Sequence, residues 1–175
     1  MPSSVPTFAE LLDEATQSAV HLEMRDVYGV GNEADDFVRW QETGERDTDP
    51  ASAYWRPWVD LVRRTVARGV AVRRARIVSE PVSAYIRYEH AGTVVNLGAG
   101  EDVRWLPRRQ ASDLALPGND FWLIDGRVVR WNHFSGDGVS AGGEISQEPA
   151  VAKLCANAFG AVWARAVPHR TYKII

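Results

Sequence analysis

The stretch Pro117–Phe134, PGNDFWLIDGRVVRWNHF, decides the fold. Two runs rich in aromatic and branched residues flank Asp125-Gly126. Asp-Gly between such runs predicts a β-hairpin with a type I′ turn, which needs positive φ at both central residues. A two-residue loop then sets the register. Leu123 faces Val128, Phe121 faces Arg130 and Asn119 faces Asn132 on one side. Ile124 faces Arg127, Trp122 faces Val129, Asp120 faces Trp131 and Gly118 faces His133 on the other. Both sides are apolar near the turn, which suits a hairpin inside a sheet covered on both faces. At the open end Asn119, Asp120, Asn132 and His133 meet, and that end is the first candidate site.

Working outward, the preceding chain reads as alternating helices and strands. Phe8–Thr16 has helical spacing, with Thr7 as cap and Glu10 three residues on. Ala19–Val27 alternates and is read as a strand, with His21 facing solvent. Glu33–Glu42 is a short helix capped by Asn32, and Thr43–Pro50 is a polar loop expected to be mobile. Trp55–Arg68 is a long helix and Val70–Val78 the next strand. Strand, helix and strand make a βαβ unit with a parallel pair. Arg74 and Arg76 share one face of that strand, and Arg73 lies on the other. Arginines on a buried strand need carboxylates, and Glu80 and Glu89 are near in sequence. Pro81 is expected to open a helix running to about Val95, followed by a glycine-rich loop at 96–100. Val103–Leu106 is a short strand. Ser135–Ser146 reads as a mobile glycine-rich loop, and Pro149 opens a last helix over Ala150–Ala166. Cys155 lies on the apolar stripe of that helix and is read as an inert core residue. Together these predict a single α/β domain over residues 1–175: a mixed sheet with a βαβ unit, a central hairpin and helices on both faces. The first 50 residues belong to that domain, because so short a piece has too little apolar surface to fold alone.

Composition bounds the function. The 175 residues carry 20 Lys and Arg against 23 Asp and Glu, a net charge of −3, which gives no global case for nucleic acid as partner. One cysteine excludes an intramolecular disulfide framework and a cysteine zinc cluster. No secretory signal is read at the start, and no apolar run nears the ~20 residues of a membrane helix. A cytoplasmic protein without membrane contact is expected. No cofactor is expected either. The four histidines lack paired metal spacing, no dinucleotide fingerprint follows a strand, and no G-x-S-x-G elbow is present.

Several blocks, HLEMRD, RRARIVSEPVSAYIRYEH, VRWLPR and ALPGNDFWLIDGRVVRWNHFSGDG, resemble an uncharacterised actinobacterial family often encoded beside helix-turn-helix regulators. That resemblance implies a helix-turn-helix protein as partner and a role in transcription regulation through protein–protein interaction. The order of elements also resembles half of a phospholipase-D-like domain. That superfamily carries H-x-K-x-x-x-x-D on the strand leading into such a turn. Here the same spacing falls on Gly118, Asp120 and Asp125, so the nucleophilic His and the phosphate-binding Lys are absent.

The expected function is a non-catalytic regulatory or interaction domain, able to sense a small ligand and able to form a homodimer. Its binding surface is expected to combine the hairpin's open end with the 80–90 helix: Glu80, Tyr85, Arg87, His90, Asn119, Asp120, Asn132 and His133. Two alternatives compete. One is a hydrolase or phosphodiesterase-like enzyme with His133 as base or nucleophile and Asp120 orienting it. The other binds nucleic acid through Arg63, Arg64, Arg68, Arg73, Arg108 and Arg109, although nucleic acid is the less expected partner.

Overall fold

The computed structural model describes residues 5–29, 31 and 33–175. Its elements run α1 Phe8–Glu14, β1 Ser18–Glu23, α2 Ala34–Thr43, α3 Arg56–Ala67, β2 Ala71–Val78, α4 Ala84–Ala99 and β3 Asp102–Pro107. A 3-10 turn at Arg108–Ala111 follows, then β4 Asp120–Ile124, β5 Val128–Phe134, β6 Ser140–Ser146, α5 Pro149–Arg165 and β7 Val167–Pro168. The strands form one mixed sheet in the order β6-β5-β4-β1-β2-β3-β7. β1, β2 and β3 are parallel, as βαβ crossovers require, and the other neighbours are antiparallel. The mixed α/β architecture, with a central hairpin and helices on both faces, is the expected one.

Strand alternation splits the apolar residues between two layers. One face carries Leu22, Ala75, Ile77, Phe121, Leu123 and Val129, and α5 covers it with Cys155, Phe159 and Val162. The other carries Ala19, Val72, Trp122 and Ile124 under α1 and α3, while Trp105 lies under α4. The α1 start is held by the expected capping box: Glu10 N–H donates to Thr7 Oγ1, and Thr7 N–H donates back to Glu10.

Several expectations are corrected. The Asp125-Gly126 turn exists, with φ of 51° and 66°. Its hydrogen bond, Arg127 N–H to Ile124 O at 2.9 Å, closes the two-residue turn. Arg127 then stands as an extra, bulged residue, and the ladder resumes at Ile124 opposite Val128. The register is therefore shifted by one. Phe121 faces Trp131, Trp122 faces Arg130, and Asp120 faces Asn132. β6 occupies part of the expected mobile loop and pairs with β5. α4 runs on through 96–99, so no loop forms there, and Ser83 rather than Pro81 supplies its start by accepting from Ile86 N–H at 3.1 Å. His21 is buried instead of facing solvent. Arg46, in the segment expected to be mobile, inserts over Tyr88 at 3.9 Å and pairs with Asp36 at 2.6 Å. Gly92 makes that slot, since a Cβ there would meet the Arg46 guanidinium at 2.8 Å. Asn32, the expected cap of α2, lies outside the described residues.

The turn is tied to the sheet by Asp125. Its carboxylate accepts N–H bonds from Thr16, Gln17 and Ser18 at 3.0, 2.7 and 3.0 Å. These bonds lower its pKa against a partly opposing burial. Asn also tolerates left-handed backbone, so Asp125→Asn isolates the charge. We expect it to destabilise the fold by about 1 kcal/mol or more at neutral pH, because bonds to a charged acceptor become weaker bonds to a neutral one. The depressed folded pKa fixes the sign. The wild-type advantage is full above the unfolded carboxylate value of about 3.9 and fades as pH falls through the folded value. Urea unfolding of both proteins from pH 7 to pH 2 measures it.

Candidate functional site

In the C-terminal halves of β1 and β2, the residues facing the α1, α3 and α4 layer are charged rather than apolar. Pairing turns them into two polar rungs across the sheet. The first is Arg130 on β5, Trp122 on β4, His21 on β1 and Arg74 on β2. The second sets Asn132 opposite Asp120, and Glu23 opposite Arg76 opposite Trp105. Asp120 and Glu23 each stand one residue beyond the Leu22–Phe121 pair that ends the β1–β4 ladder.

Glu23 is the centre of the network. Arg74 Nη1 donates to its Oε1 at 2.7 Å, and Arg76 Nε lies 2.7 Å from its Oε2. Arg74 Nε also donates to Glu101 at 2.6 Å, and Arg76 Nη2 lies 2.9 Å from Glu89. Glu101 is buried at the α4–β3 corner, where Asn96 Nδ2 donates to it at 2.8 Å. Burial pushes Glu23 up, but the Arg76 and Arg74 guanidiniums outweigh it and hold the carboxyl at about 2. Burial instead wins at Glu89, and its neighbours Glu33 and Glu23 add to the upward shift.

His21 stacks on Trp122 with ring centroids 4.3 Å apart. Burial lowers its pKa to about 3, so it is neutral at physiological pH. Its tautomer follows from its neighbours. Asn132 Oδ1 accepts from Arg130 Nη1 at 2.5 Å, which turns the amide N–H₂ toward His21 Nε2 at 3.4 Å. Nε2 is thus the acceptor and Nδ1 carries the proton. Nδ1 lies 3.5 Å from Glu23 Oε1, too poorly placed for a hydrogen bond.

Above the rungs the helices do not close down. A cleft of about 450 Å³ remains, floored by the sheet residues and walled by aromatic rings. α4 contributes Tyr85 and Glu89, and α3 contributes Trp58. The segment pinned by Arg46 adds Tyr54 and Trp55. Glu33 accepts from both the Tyr54 and Tyr85 hydroxyls at 2.8 Å. Asp120 accepts from Met24 N–H at 2.9 Å and from the Tyr28 hydroxyl.

Of the eight residues expected to converge, Tyr85, Asp120 and Asn132 do so. Glu80 and Asn119 stay outside the cleft, and Arg87 is exposed on α4. His90 leans on His169, with centroids 4.4 Å apart, beside Trp105 near β7. His133 points to the opposite face and meets Glu144 at 3.2 Å. The one-residue shift explains this: it puts Asp120 with Asn132 and separates both from His133. His133 and Asp120 therefore form no pair. Glu89 is the arginine partner expected from sequence; Glu80 is not one of the ion pairs among the described residues. Residues missed were His21, Glu23 and Arg130 above all. The charged alternation in HLE and RRAR was the available signal. Four of the six arginines grouped above are engaged within the fold. Arg64 pairs with Asp13, Arg68 donates to Leu12 O, Arg73 lies over Trp163 on the α5 face, and Arg108 donates to Ser79 and Met24 O.

Asp120 gives the site a measurable titration. Burial raises its pKa to about 6, against the lowering bond from Tyr28. A raised acid is most stabilising when protonated. Its contribution is full below the unfolded value of about 3.9 and is lost as pH rises through the folded value. Wild type should lose on the order of 2 kcal/mol relative to Asp120→Asn between pH 4 and pH 6.5, since each pKa unit is worth about 1.4 kcal/mol. Carbon-13 NMR of the carboxyl should give a midpoint near 6; a midpoint near 4 would contradict the burial.

No curated protein matches this chain. Among solved structures, it is similar to the archaeal chromatin protein TrmBL2, whose structure was described with a novel mode of DNA binding. The TM-score is 0.47 at 13% identity, over 91% of this chain and 48% of that one, so this chain spans about half the length of TrmBL2. That protein binds DNA, and the expectation that nucleic acid is the less expected partner is withdrawn against this match. A likeness of that size carries no conclusion about what this chain binds. No helix among the described residues is long and apolar enough to cross a membrane. A family model described as a domain of unknown function, DUF6879, matches residues 6–174, and the chain belongs to that family.

Proposed function

We propose that this chain is a non-catalytic regulatory domain that senses a small molecule in the cleft over β1, β2, β4 and β5. The cleft itself carries this reading. A volume of about 450 Å³ falls in the range of small-molecule sites, which combine aromatic walls with a few fixed polar groups. The polar groups here are fixed before any ligand arrives. His21 is stacked and Asn132 is oriented by Arg130, and Glu23 is clamped between two guanidiniums. Such preorganisation lowers the ordering cost of binding. A catalytic role for His133 with Asp120 lacks support, because the two side chains lie on opposite faces of the sheet. The sequence blocks that resemble proteins encoded beside helix-turn-helix regulators support a regulatory partner that reads cleft occupancy.

A fragment set screened by ligand-observed NMR tests the reading. Ser140 lines the cleft but is exposed at its mouth, so Ser140→Trp obstructs entry without touching the buried ions. We expect fragments to bind the wild type, to perturb tryptophan fluorescence, and to bind the variant at least tenfold more weakly. No binding to the wild type, or equal binding to both, would overturn the reading.

A further inference from the structure

We propose that the cleft takes a small zwitterion of the amino-acid type with a flat apolar body. The inference rests on the cleft being a ligand site, and it comes from charges there that do not neutralise one another. Glu33 and Asp120 are held by tyrosine hydroxyls and a backbone N–H. Among the described residues no cation forms an ion pair with either. Arg130 is the converse. Its Nε donates to Pro6 O at 3.3 Å and its Nη1 to Asn132, and no carboxylate among the described residues pairs with it. The remaining six residues contain no Asp or Glu. Arg76, 4% exposed and lining the cleft, keeps Nη1 without a hydrogen-bond partner.

Carboxylates without a cation and guanidinium groups with unused charge or N–H thus face one cavity. Arg130 and Asp120 are diagonal neighbours across β4 and β5, close enough for long side chains to approach. Arg130 nevertheless turns away, over the Phe8 ring at 4.2 Å. A ligand of single charge would leave one set unmatched. A zwitterion satisfies both, with its ammonium at Asp120 and Glu33 and its carboxylate at Arg130 and the Arg76 side. Bidentate capture of a carboxylate suits a guanidinium, and an ammonium gains further from tyrosine faces. Two aromatic groups flank the seat, Tyr28 with Tyr85 and Phe134, and Trp58 with Trp122. They suit a flat body between the charged ends.

Three probes that share one ring separate the charges: L-tryptophan, tryptamine and indole-3-propionate, titrated calorimetrically into the full chain. We expect L-tryptophan to bind at least tenfold more tightly than either of the others. Arg130→Gln should reduce L-tryptophan to the level of tryptamine while leaving tryptamine unchanged. Asp120→Asn should reduce it to the level of indole-3-propionate. Arg130→Lys keeps the charge and should retain the preference for the zwitterion, and thermal melting confirms that each variant is folded. Tryptamine equal to L-tryptophan would overturn the proposal in favour of a cation site. Indole-3-propionate equal to it would overturn it in favour of an anion site. Binding of none of the three would overturn it outright. If fragments still bind in a manner blocked by Ser140→Trp, that failure belongs to the zwitterion alone and the ligand reading stands.

Discussion

Glu23 sits between two arginines that a central strand has carried indoors. β2 is flanked by β1 and β3 and covered on both faces, so Arg74 and Arg76 cannot reach water by leaving an edge. A buried guanidinium without a counter-charge is expensive. The fold answers with three carboxylates from three places: Glu23 from the neighbouring strand, Glu89 from α4, and Glu101 from the corner that follows it. The placement of α4 over the sheet is what delivers two of the three. Its aromatic flank and the Arg46-pinned segment are then positioned by the same contact.

Burying so many ions does not by itself stabilise a protein. Replacing a buried ion network with well-packed apolar residues is often neutral or favourable. Its consequence here is geometric. On the α5 side, aliphatic and aromatic side chains pack into one apolar cluster. On the other side, arginine and glutamate hold the helices off the sheet ends of β1, β2, β4 and β5, and the space between becomes the cleft. The charges that make the space also define its chemistry, since those on the β4–β5 side are not consumed by the network.

Much of this was legible in the chain itself. Asp-Gly between two aromatic runs gave the hairpin, and the alternation of helix and strand gave the parallel pairs. The spacing of Arg74 and Arg76 placed them on one face, and nearness in sequence offered Glu80 and Glu89 as partners, of which Glu89 is one. What escaped has physical causes. One bulged residue, Arg127, moves every later pairing of the hairpin by one and reverses which side chains share a face. Alternation in HLE told that His21 and Leu22 oppose each other, but not that both faces are covered. The polar 43–50 loop reads as mobile because nothing local signals that Arg46 will fill a slot opened by Gly92, about 46 residues away in sequence. The glycine-rich stretch 96–100 suggests a loop, yet buried Val95, Asn96 and Ala99 hold 96–99 in the helix, and Gly100 is its left-handed cap.

Glu23 is an internal counter-charge and not a surface ion-pair partner. Denaturant unfolding of Glu23→Gln, which keeps the volume and removes the charge, tests this most directly. Removing the carboxylate that Arg74 and Arg76 share leaves each with one partner, Glu101 and Glu89, and should lower stability by about 3 kcal/mol, with the unfolding slope unchanged. A loss below about 1 kcal/mol, the scale of an exposed pair, would contradict the account.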